Sequence, residues 1–201
     1  VMIAIIDYGV GNLFSLAGSL KKIGAQSVVT ADCKIIDAAD KIILPGVGAF
    51  GDAICKLKKN GLDDFLIGQC EKGKPLLGIC LGMQLLFEKS YEYGVHDGLG
   101  LIKGDILPLK DYVGNLKVPH MGWNGLKIQD NNPIFKNTKQ GEAVYFVHSY
   151  FADCKNNVSA TTDYGIEVTA AVRKNNVYGV QFHPEKSGES GLKILKAFAN
   201  L

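Results

Sequence analysis

Three side chains in this sequence could act together on a carbonyl group: a cysteine, a histidine and a glutamate. Cys80 stands at the centre of GICLG (78–82), between a short apolar run and a segment with helix-like spacing. A cysteine at the sharp turn from a strand to a helix is exposed for attack, and the helix start favours its thiolate. The flanking glycines leave room for such a turn. The pattern predicts a nucleophile, and a buried cysteine in a glycine-rich turn is the alternative.

The histidine and the glutamate lie two positions apart, far downstream of the cysteine. His183 ends an apolar, strand-like run, and Pro184 stiffens the step to Glu185. In an extended segment both side chains point the same way, so the carboxylate can orient one imidazole nitrogen and leave the other to Cys80. The pair could also form half of a metal site. No second cluster at ligand spacing accompanies it, so we expect no metal.

A glycine-rich stretch at residues 46–51 follows the apolar run 41–44 and formally matches the GxGxxG pattern of dinucleotide sites. Those sites place the pattern at the first strand–helix turn, with an acid at the end of the next strand. Here Pro45 precedes the pattern, and the acid at the expected distance, Glu71, lies in a polar stretch. The amides of such a loop suit another task, the stabilisation of an oxyanion beside Cys80. We therefore expect no nucleotide cofactor.

Further polar candidates follow the cysteine. Gln84 and Glu88 come after Cys80 at intervals of one helical turn. A continuous helix would place all three on one face, where the pair could hold a polar substrate group. An exposed helix face is the alternative for Glu88. Taken alone, His120 and His148 fit structural histidines.

Alternating strands and helices in the first half would position these residues. Apolar runs at 2–6, 41–44 and 75–79 are typical of strands buried on both faces of a parallel sheet. Apolar positions recur at helical spacing over 13–23, and residues 50–72 predict one or two further helices. This alternation predicts right-handed crossovers, an open sheet covered on both faces, and binding at loops after the carboxyl ends of strands.

The second half changes to strand-like segments separated by turn residues. These segments are residues 101–109, 125–128, 143–151, 157–162, 168–173 and 177–183. A final helical stripe contains Leu192, Leu195 and Ala199. No linker or repeat divides the halves. The sequence therefore predicts one α/β domain over residues 1–201: an open, mostly parallel central sheet with helices on both faces, plus additional antiparallel strands in the second half.

Composition excludes several classes of protein. The 201 residues include 22 basic and 20 acidic side chains, a net charge of +2, and 47% are hydrophobic. This is a globular balance that gives no indication of nucleic-acid or membrane-surface binding. No apolar run approaches the roughly 20 residues of a membrane span. The five cysteines are odd in number and lack CxxC spacing, which argues against a disulfide framework or a zinc site and predicts a cytoplasmic protein.

The combination of motifs resembles a known family. LPGVGAFGD, GICLGMQLLFE, PHMGWN, YFVHSY and GVQFHPEKS occur in the order found in class I, triad-type glutamine amidotransferases, and the resemblance covers essentially the whole chain. Within that class it is similar to the glutaminase subunits of imidazole glycerol phosphate synthases, which serve histidine biosynthesis. The resemblance implies a flavodoxin-like fold and hydrolysis of L-glutamine to glutamate and ammonia without a cofactor.

The same resemblance implies a partner. The ammonia would pass, within a heterodimer, to a (β/α)8-barrel cyclase subunit that makes imidazole glycerol phosphate and AICAR. A paralogous synthase that amidinates a surface-polysaccharide sugar is the alternative recipient. No nucleic acid and no membrane are implied.

The resemblance also implies roles for individual residues. Cys80 would attack the glutamine amide, His183 would move the proton and Glu185 would orient the histidine. The oxyanion would be held by the backbone of Val47, Gly48 and Leu81. Substrate binding is implied for Gln84, Glu88, Ser149 and Tyr150. The partner face is implied to comprise Asn12, His120, Met121, Trp123, Tyr145 and Lys186.

Overall fold

The computed structural model describes all residues, 1–201, and alternates strands with helices in the first half, as predicted. The strands of this half are β1 (Met2–Ile6), β2 (Gln26–Thr30), β3 (Lys41–Leu44) and β4 (Leu76–Ile79). Its helices are α1 (Leu13–Lys22), α2 (Cys33–Ala38), α3 (Phe50–Lys59), α4 (Leu62–Glu71) and α5 (Leu81–Gln84).

The second half is built mainly from short strands. They are β5 (Lys89–Ser90), β6 (His96–Asp97), β7 (Asp105–Pro108), β8 (His120–Gly125), β9 (Lys127–Ile128), β10 (Ala143–His148), β11 (Tyr150–Asp153), β12 (Val158–Asp163), β13 (Glu167–Lys174) and β14 (Val177–Val180). Helix α6 (Gly188–Ala199) ends the fold, and 3-10 turns lie at Leu109–Asp111, Pro133–Phe135 and Pro184–Lys186.

One eight-stranded sheet joins both halves of the chain, in the order β2-β1-β3-β4-β14-β13-β12-β9. The first five strands are parallel and the last three are antiparallel. The parallel part has the 2-1-3-4-5 order of flavodoxin-like folds. Strand β14 lies beside β4, and Val180 is paired with Ile79. This register brings the residues that follow the two strands, Cys80 and Gln181, to the same rim of the sheet.

Helices cover both faces of the sheet. Strand β1 alternates accordingly, because Ala4 and Ile6 pack into one core and Ile3 and Ile5 into the other. Helices α2, α3 and α4 contribute to the first core, and α1 and α6 to the second. The predicted α/β class and the position of the helices are thereby confirmed.

Two smaller sheets lie above the carboxyl rim. Strands β8 and β10 form an antiparallel ribbon, while β11, β7, β5 and β6 form the other sheet. The prediction of a single strand over 143–151 is therefore wrong at Ser149, where the chain passes from one sheet to the other and the Ser149 carbonyl accepts from Leu109 N at 2.9 Å. None of the helices is long and apolar enough to cross a membrane.

Candidate active site

Cys80 lies at a strained turn between β4 and α5. Its backbone has φ 53° and ψ −111°, a conformation that residues other than glycine rarely adopt. The turn can form because its neighbours lack side chains: a Cβ on Gly78 would lie 2.6 Å from the Gly82 carbonyl oxygen, and a Cβ on Gly82 would overlap Leu44 O. The geometry is that of the strand–turn–helix elbow predicted from the sequence.

His183 and Glu185 form the second part of the site. The imidazole Nδ1 lies 2.8 Å from Glu185 Oε1, and the two side chains are only 3% and 4% exposed. Burial lowers the pKa of His183, but the neighbouring Cys80 and Glu185 side chains outweigh burial and raise the pKa to about 10. The ring is therefore protonated at neutral pH and can act as a proton donor in the cavity that it shares with Cys80.

Two glutamines support the sulfur and the cavity wall. Gln181 Nε2 lies 3.8 Å from Cys80 Sγ, and Gln181 Oε1 accepts from Gln84 Nε2 at 3.0 Å. Gln84 Nε2 also donates to Tyr150 O at 3.0 Å. Gln84 thus faces the cavity while it holds two other elements in place. Gln181 was not predicted from the sequence, although its position directly after β14 and two residues before His183 was a signal.

A cavity of about 390 Å³ opens over the sulfur, and both Cys80 and His183 line it. Six further predicted residues are in its wall: Val47, Gly48, Gln84, Ser149, Tyr150 and Lys186. The Ser149 hydroxyl makes no hydrogen bond within the chain. His148 also contributes to the wall, and burial lowers its pKa to about 3, so this ring is neutral.

The backbone of the glycine-rich loop supplies free donors at the cavity. None of the amide N–H groups of residues 46–49 donates to another group of the chain, and Gly48 has φ +96°. The amide of Leu81, the first residue of α5, is also without an acceptor. Amides that make no hydrogen bond within the chain can donate to an oxyanion. This is the role predicted for the backbone of Val47, Gly48 and Leu81.

The structure does not bring Glu88 to the cavity. Helix α5 ends at Gln84, because the carbonyls of residues 85–88 accept hydrogen bonds from the loop at 98–102 instead of continuing the helix. Glu88 is exposed, and its carboxylate accepts from Gly104 N at 3.0 Å. The prediction, made from helical spacing, that Glu88 shares a helix face with Cys80 is therefore wrong.

The carboxylate that does line the cavity is Glu92, in the turn between β5 and β6. Its Oε2 accepts from Phe50 N at 2.7 Å, while Oε1 accepts no hydrogen bond from the chain. Nothing in the spacing of this turn relates it to Cys80, so the sequence offered no signal for it.

Three of the six predicted partner residues, Met121, Trp123 and Tyr145, share one surface beside the cavity, which we call the ribbon face: the outward side of β8 and β10. Met121 and Trp123 are 60% and 56% exposed, and the Trp123 ring lies 6.0 Å from that of Tyr145, its cross-strand partner. Lys186 is exposed at the cavity mouth. Asn12 is partly exposed and caps α1 by accepting from Ser15 N at 3.4 Å.

His120, in contrast, is fully buried, so the prediction that it belongs to the partner face is wrong. It lies on the inward side of β8, because side chains alternate along a strand. Its ring stacks on Phe146 and Tyr164, with centroids 4.9 and 3.9 Å away, and its Nδ1 lies 2.9 Å from His148 Nε2. Burial lowers its pKa. His120 therefore supports the cavity wall through His148.

No group of three or more His, Cys, Asp or Glu side chains is arranged to hold a metal ion. The Glu185 carboxylate, which was a candidate metal ligand, instead contacts His183 Nδ1 at 2.8 Å.

Comparison with known proteins identifies similar chains. The family model described as glutamine amidotransferase class-I matches residues 4–200. The chain is 52% identical to the imidazole glycerol phosphate synthase subunit HisH of Caldanaerobacter subterraneus subsp. tengcongensis, over 100% of this chain and 98% of that one. It is 49% identical to the protein of the same name from Bacillus subtilis (strain 168), over 100% of this chain and 96% of the relative.

Solved structures share the fold at lower identity. A crystal structure of a glutamine amidotransferase has a TM-score of 0.77 at 16% identity, with 98% of this chain and 99% of that chain covered. The structure of PurLQS from Thermotoga maritima has a TM-score of 0.76 at 23% identity, with coverage of 99% and 97%.

Proposed function

The chain belongs to the class-I glutamine amidotransferase family, and we propose that it hydrolyses L-glutamine to L-glutamate and ammonia as the glutaminase subunit of an imidazole glycerol phosphate synthase. The two named relatives are subunits of that synthase and match this chain over its full length. They favour histidine biosynthesis over the alternative of a paralogue that amidinates a sugar.

One observation carries the chemistry: Cys80 lines the same cavity as His183, whose Nδ1 lies 2.8 Å from Glu185 Oε1. The thiolate of Cys80 attacks the side-chain amide carbon of glutamine, and the carbonyl electrons move onto oxygen. The His183 imidazolium then donates its proton to the amide nitrogen, ammonia leaves and a γ-glutamyl thioester remains. Glu185 holds Nδ1 of the ring, so that the proton is transferred from Nε2.

Hydrolysis of the thioester completes the cycle. His183, now neutral, takes a proton from a water molecule as the water attacks the thioester carbon. Glutamate leaves and the thiolate is restored beside the imidazolium. In both halves of the reaction the negative oxygen is stabilised by the free amides of Val47 or Gly48 together with that of Leu81, donors that typically contribute about 3 kcal/mol each to lowering the barrier.

The remaining cavity residues orient the substrate. Glutamine carries an α-ammonium and an α-carboxylate group at the end opposite its reactive amide. Oε1 of Glu92 is free for the ammonium, and the Ser149 hydroxyl and the Tyr150 segment can contact the carboxylate end. We assign Gln84 to the cavity wall and give Glu88 no substrate role.

A partner subunit receives the ammonia. We propose a (β/α)8-barrel cyclase that docks on the ribbon face, where Met121, Trp123 and Tyr145 present aromatic and thioether groups typical of interfaces. Lys186 lies between this face and the cavity. Transfer within a covered interface keeps ammonia from becoming ammonium in bulk water, where it would lose its nucleophilicity. All five cysteines are free thiols, which is consistent with a cytoplasmic location.

The test is Cys80→Ala, measured in the complex with the cyclase subunit. Glutamine hydrolysis should fall by about 10³-fold or more, because no thioester can form. The same complex supplied with free ammonia should still make the cyclase product, which shows that the partner is intact. Cys55→Ala, which removes an exposed thiol that does not line the cavity, is the matched control. Glutamine-dependent turnover that survives Cys80→Ala would overturn the proposal.

A further inference from the structure

The carboxylate of Glu92 makes a contact that substrate binding does not require. Its Oε2 accepts from Phe50 N at 2.7 Å. Phe50 is the first residue of α3 and is fully buried, and Ala49 before it provides no side-chain cap. A helix start normally takes such a cap from its own preceding residue. Here the cap comes from the turn between β5 and β6, a distant part of the chain.

The capped amide lies at one end of the glycine-rich loop, and the other end is held as well. The Tyr8 hydroxyl donates to Pro45 O at 2.7 Å. Gly46 is packed so closely that a Cβ there would lie 2.8 Å from Gly82 N and 2.9 Å from the Tyr8 hydroxyl. The loop is therefore fixed by one hydrogen bond at Pro45 and by another at Phe50.

Gly46, Val47, Gly48 and Ala49 lie between these two points. Their amides make no hydrogen bond within the chain, and Gly48 occupies a left-handed conformation with φ +96°. The Ala49 carbonyl accepts from Ala53 N at 3.1 Å, whereas the carbonyls of Gly46, Val47 and Gly48 accept no hydrogen bond from the chain. The direction of the free amides thus depends on the two fixed ends.

The two oxygens of Glu92 have different surroundings. Oε2 is bound to the loop end, whereas Oε1 accepts no hydrogen bond and belongs to a side chain that lines the cavity. Burial raises the pKa of this carboxyl, and the Phe50 amide acts in the opposite direction. A cation that reaches the cavity would therefore contact a carboxylate already bound to the end of the loop.

We propose that Glu92 is a positioning residue for the oxyanion loop: by capping Phe50 it sets the orientation of the Val47 and Gly48 amides, and it couples that orientation to occupation of the cavity. The inference rests on the proposed function. It assigns to Glu92 a task separable from holding the substrate, because the cap uses one oxygen and the substrate ammonium would use the other.

The two tasks separate with a substrate that lacks the ammonium group. With 4-carbamoylbutanoate, which is glutamine without its α-amino group, Glu92 has no cation to bind. In the complex with the cyclase subunit, Glu92→Ala should still lower kcat on this substrate by about tenfold or more, because misdirected amides stabilise the oxyanion poorly. Glu92→Gln keeps a carbonyl oxygen for the Phe50 amide and should lose clearly less. On glutamine, Glu92→Gln should mainly raise KM, and Glu92→Ala should raise KM and lower kcat.

A matched control removes a comparable cap elsewhere. Asp32 caps α2 by accepting from Lys34 N at 2.8 Å and does not line the cavity. Asp32→Ala should reduce stability without the loss of kcat expected for Glu92→Ala. Equal kcat on 4-carbamoylbutanoate for the wild type and Glu92→Ala would overturn the inference. Absence of any Cys80-dependent glutamine turnover in the wild type would instead overturn the proposed function.

A measurement without turnover tests the same contact. Hydrogen exchange of the Phe50 amide in the intact subunit should accelerate by about tenfold or more in Glu92→Ala and much less in Glu92→Gln, because only the first loses the acceptor. Amides of β4 serve as the internal reference. Unchanged exchange at Phe50 in Glu92→Ala would show that the cap does not hold the loop, whatever the result with the substrate analogue.

Discussion

The sulfur of Cys80 lies in a different environment from the thiols of Cys70 and Cys154. It has the His183 imidazolium and the Gln181 amide as neighbours. Burial raises the pKa of Cys70 to about 12 and that of Cys154 to about 11, so these two remain thiols at neutral pH. Because the thiolate is the reactive form, the fold keeps these two cysteines inert.

Selective labelling follows from this difference. An alkylating analogue of glutamine should add one label, at Cys80, because that sulfur alone among the five lines the cavity that the analogue would enter. Peptide mapping by mass spectrometry locates the label. A small reagent such as iodoacetamide provides the comparison, since it should also modify the exposed Cys55. Labelling of Cys70 or Cys154 by the analogue would contradict this account of reactivity.

Glu185 should influence catalysis through the charge on His183. Glu185→Gln keeps an oxygen near Nδ1 but removes a negative charge, so the pKa of His183 should fall, as an NMR titration of the ring would show. The loss of kcat/KM should be about a hundredfold smaller than for His183→Ala, because orientation is weakened while the proton carrier remains. Equal losses, or an unchanged pKa, would argue against the orienting role.

At the scale of elements, the turn at Cys80 depends on a close approach of two backbones. Gly82→Ala should destabilise the fold by about 3 kcal/mol, since its Cβ would overlap Leu44 O and backbone cannot move aside as a side chain does. Gly68→Ala is the matched control, because Gly68 lies within α4 with open space around its Cα, and there alanine should stabilise by up to about 1 kcal/mol. Denaturant unfolding measures both changes. Similar effects of the two substitutions would show that the close approach does not limit the turn.

The elements that the sequence predicted well are those whose pattern reflects burial alone. β1, β3 and β4 are continuous apolar runs, and the structure places all three in the centre of the sheet. The edge strand β2 and the short helix α2 were not predicted, because half-buried elements at an edge carry a weaker pattern.

The errors at individual residues have the same origin. Glu88 was placed by extending a helix that ends at Gln84, where tertiary hydrogen bonds from residues 98–102 replace the helical ones. Residues 85–87 are all fully buried, and consecutive buried side chains cannot share one helix face. His120 was placed by motif alone, without the strand alternation that turns it inward. Glu92 lies in the turn of a sheet whose strand β7 pairs with the distant β11, and this pairing is not encoded in the spacing around Glu92.

At the scale of the whole molecule, the ribbon face and the catalytic segment are physically continuous. The Tyr145 carbonyl accepts a hydrogen bond from His183 N at 2.9 Å. The Tyr145 N–H donates a hydrogen bond to Ser187 Oγ, also at 2.9 Å. The strand that presents Tyr145 to the surface therefore also holds the backbone of the catalytic histidine. A partner bound to this face would contact a strand that is hydrogen-bonded to residues 183–187. Binding of the partner is thereby coupled to the position of the catalytic histidine.

Docking of the cyclase subunit should be visible through Trp123, the only tryptophan in the chain. Its indole is 56% exposed on the ribbon face, so burial in the interface should shift its emission to shorter wavelength as the partner is added. Trp123→Phe is the control that measures the partner's own fluorescence. Trp123→Ala should weaken binding by about 1–2 kcal/mol or more, since a central aromatic residue is a typical anchor of an interface. Tyr91, exposed in the turn between β5 and β6, is the control, and Tyr91→Ala should leave the affinity nearly unchanged. A complex that forms with full affinity and leaves the emission of Trp123 unshifted would place the partner on another face and remove the route from the interface to His183.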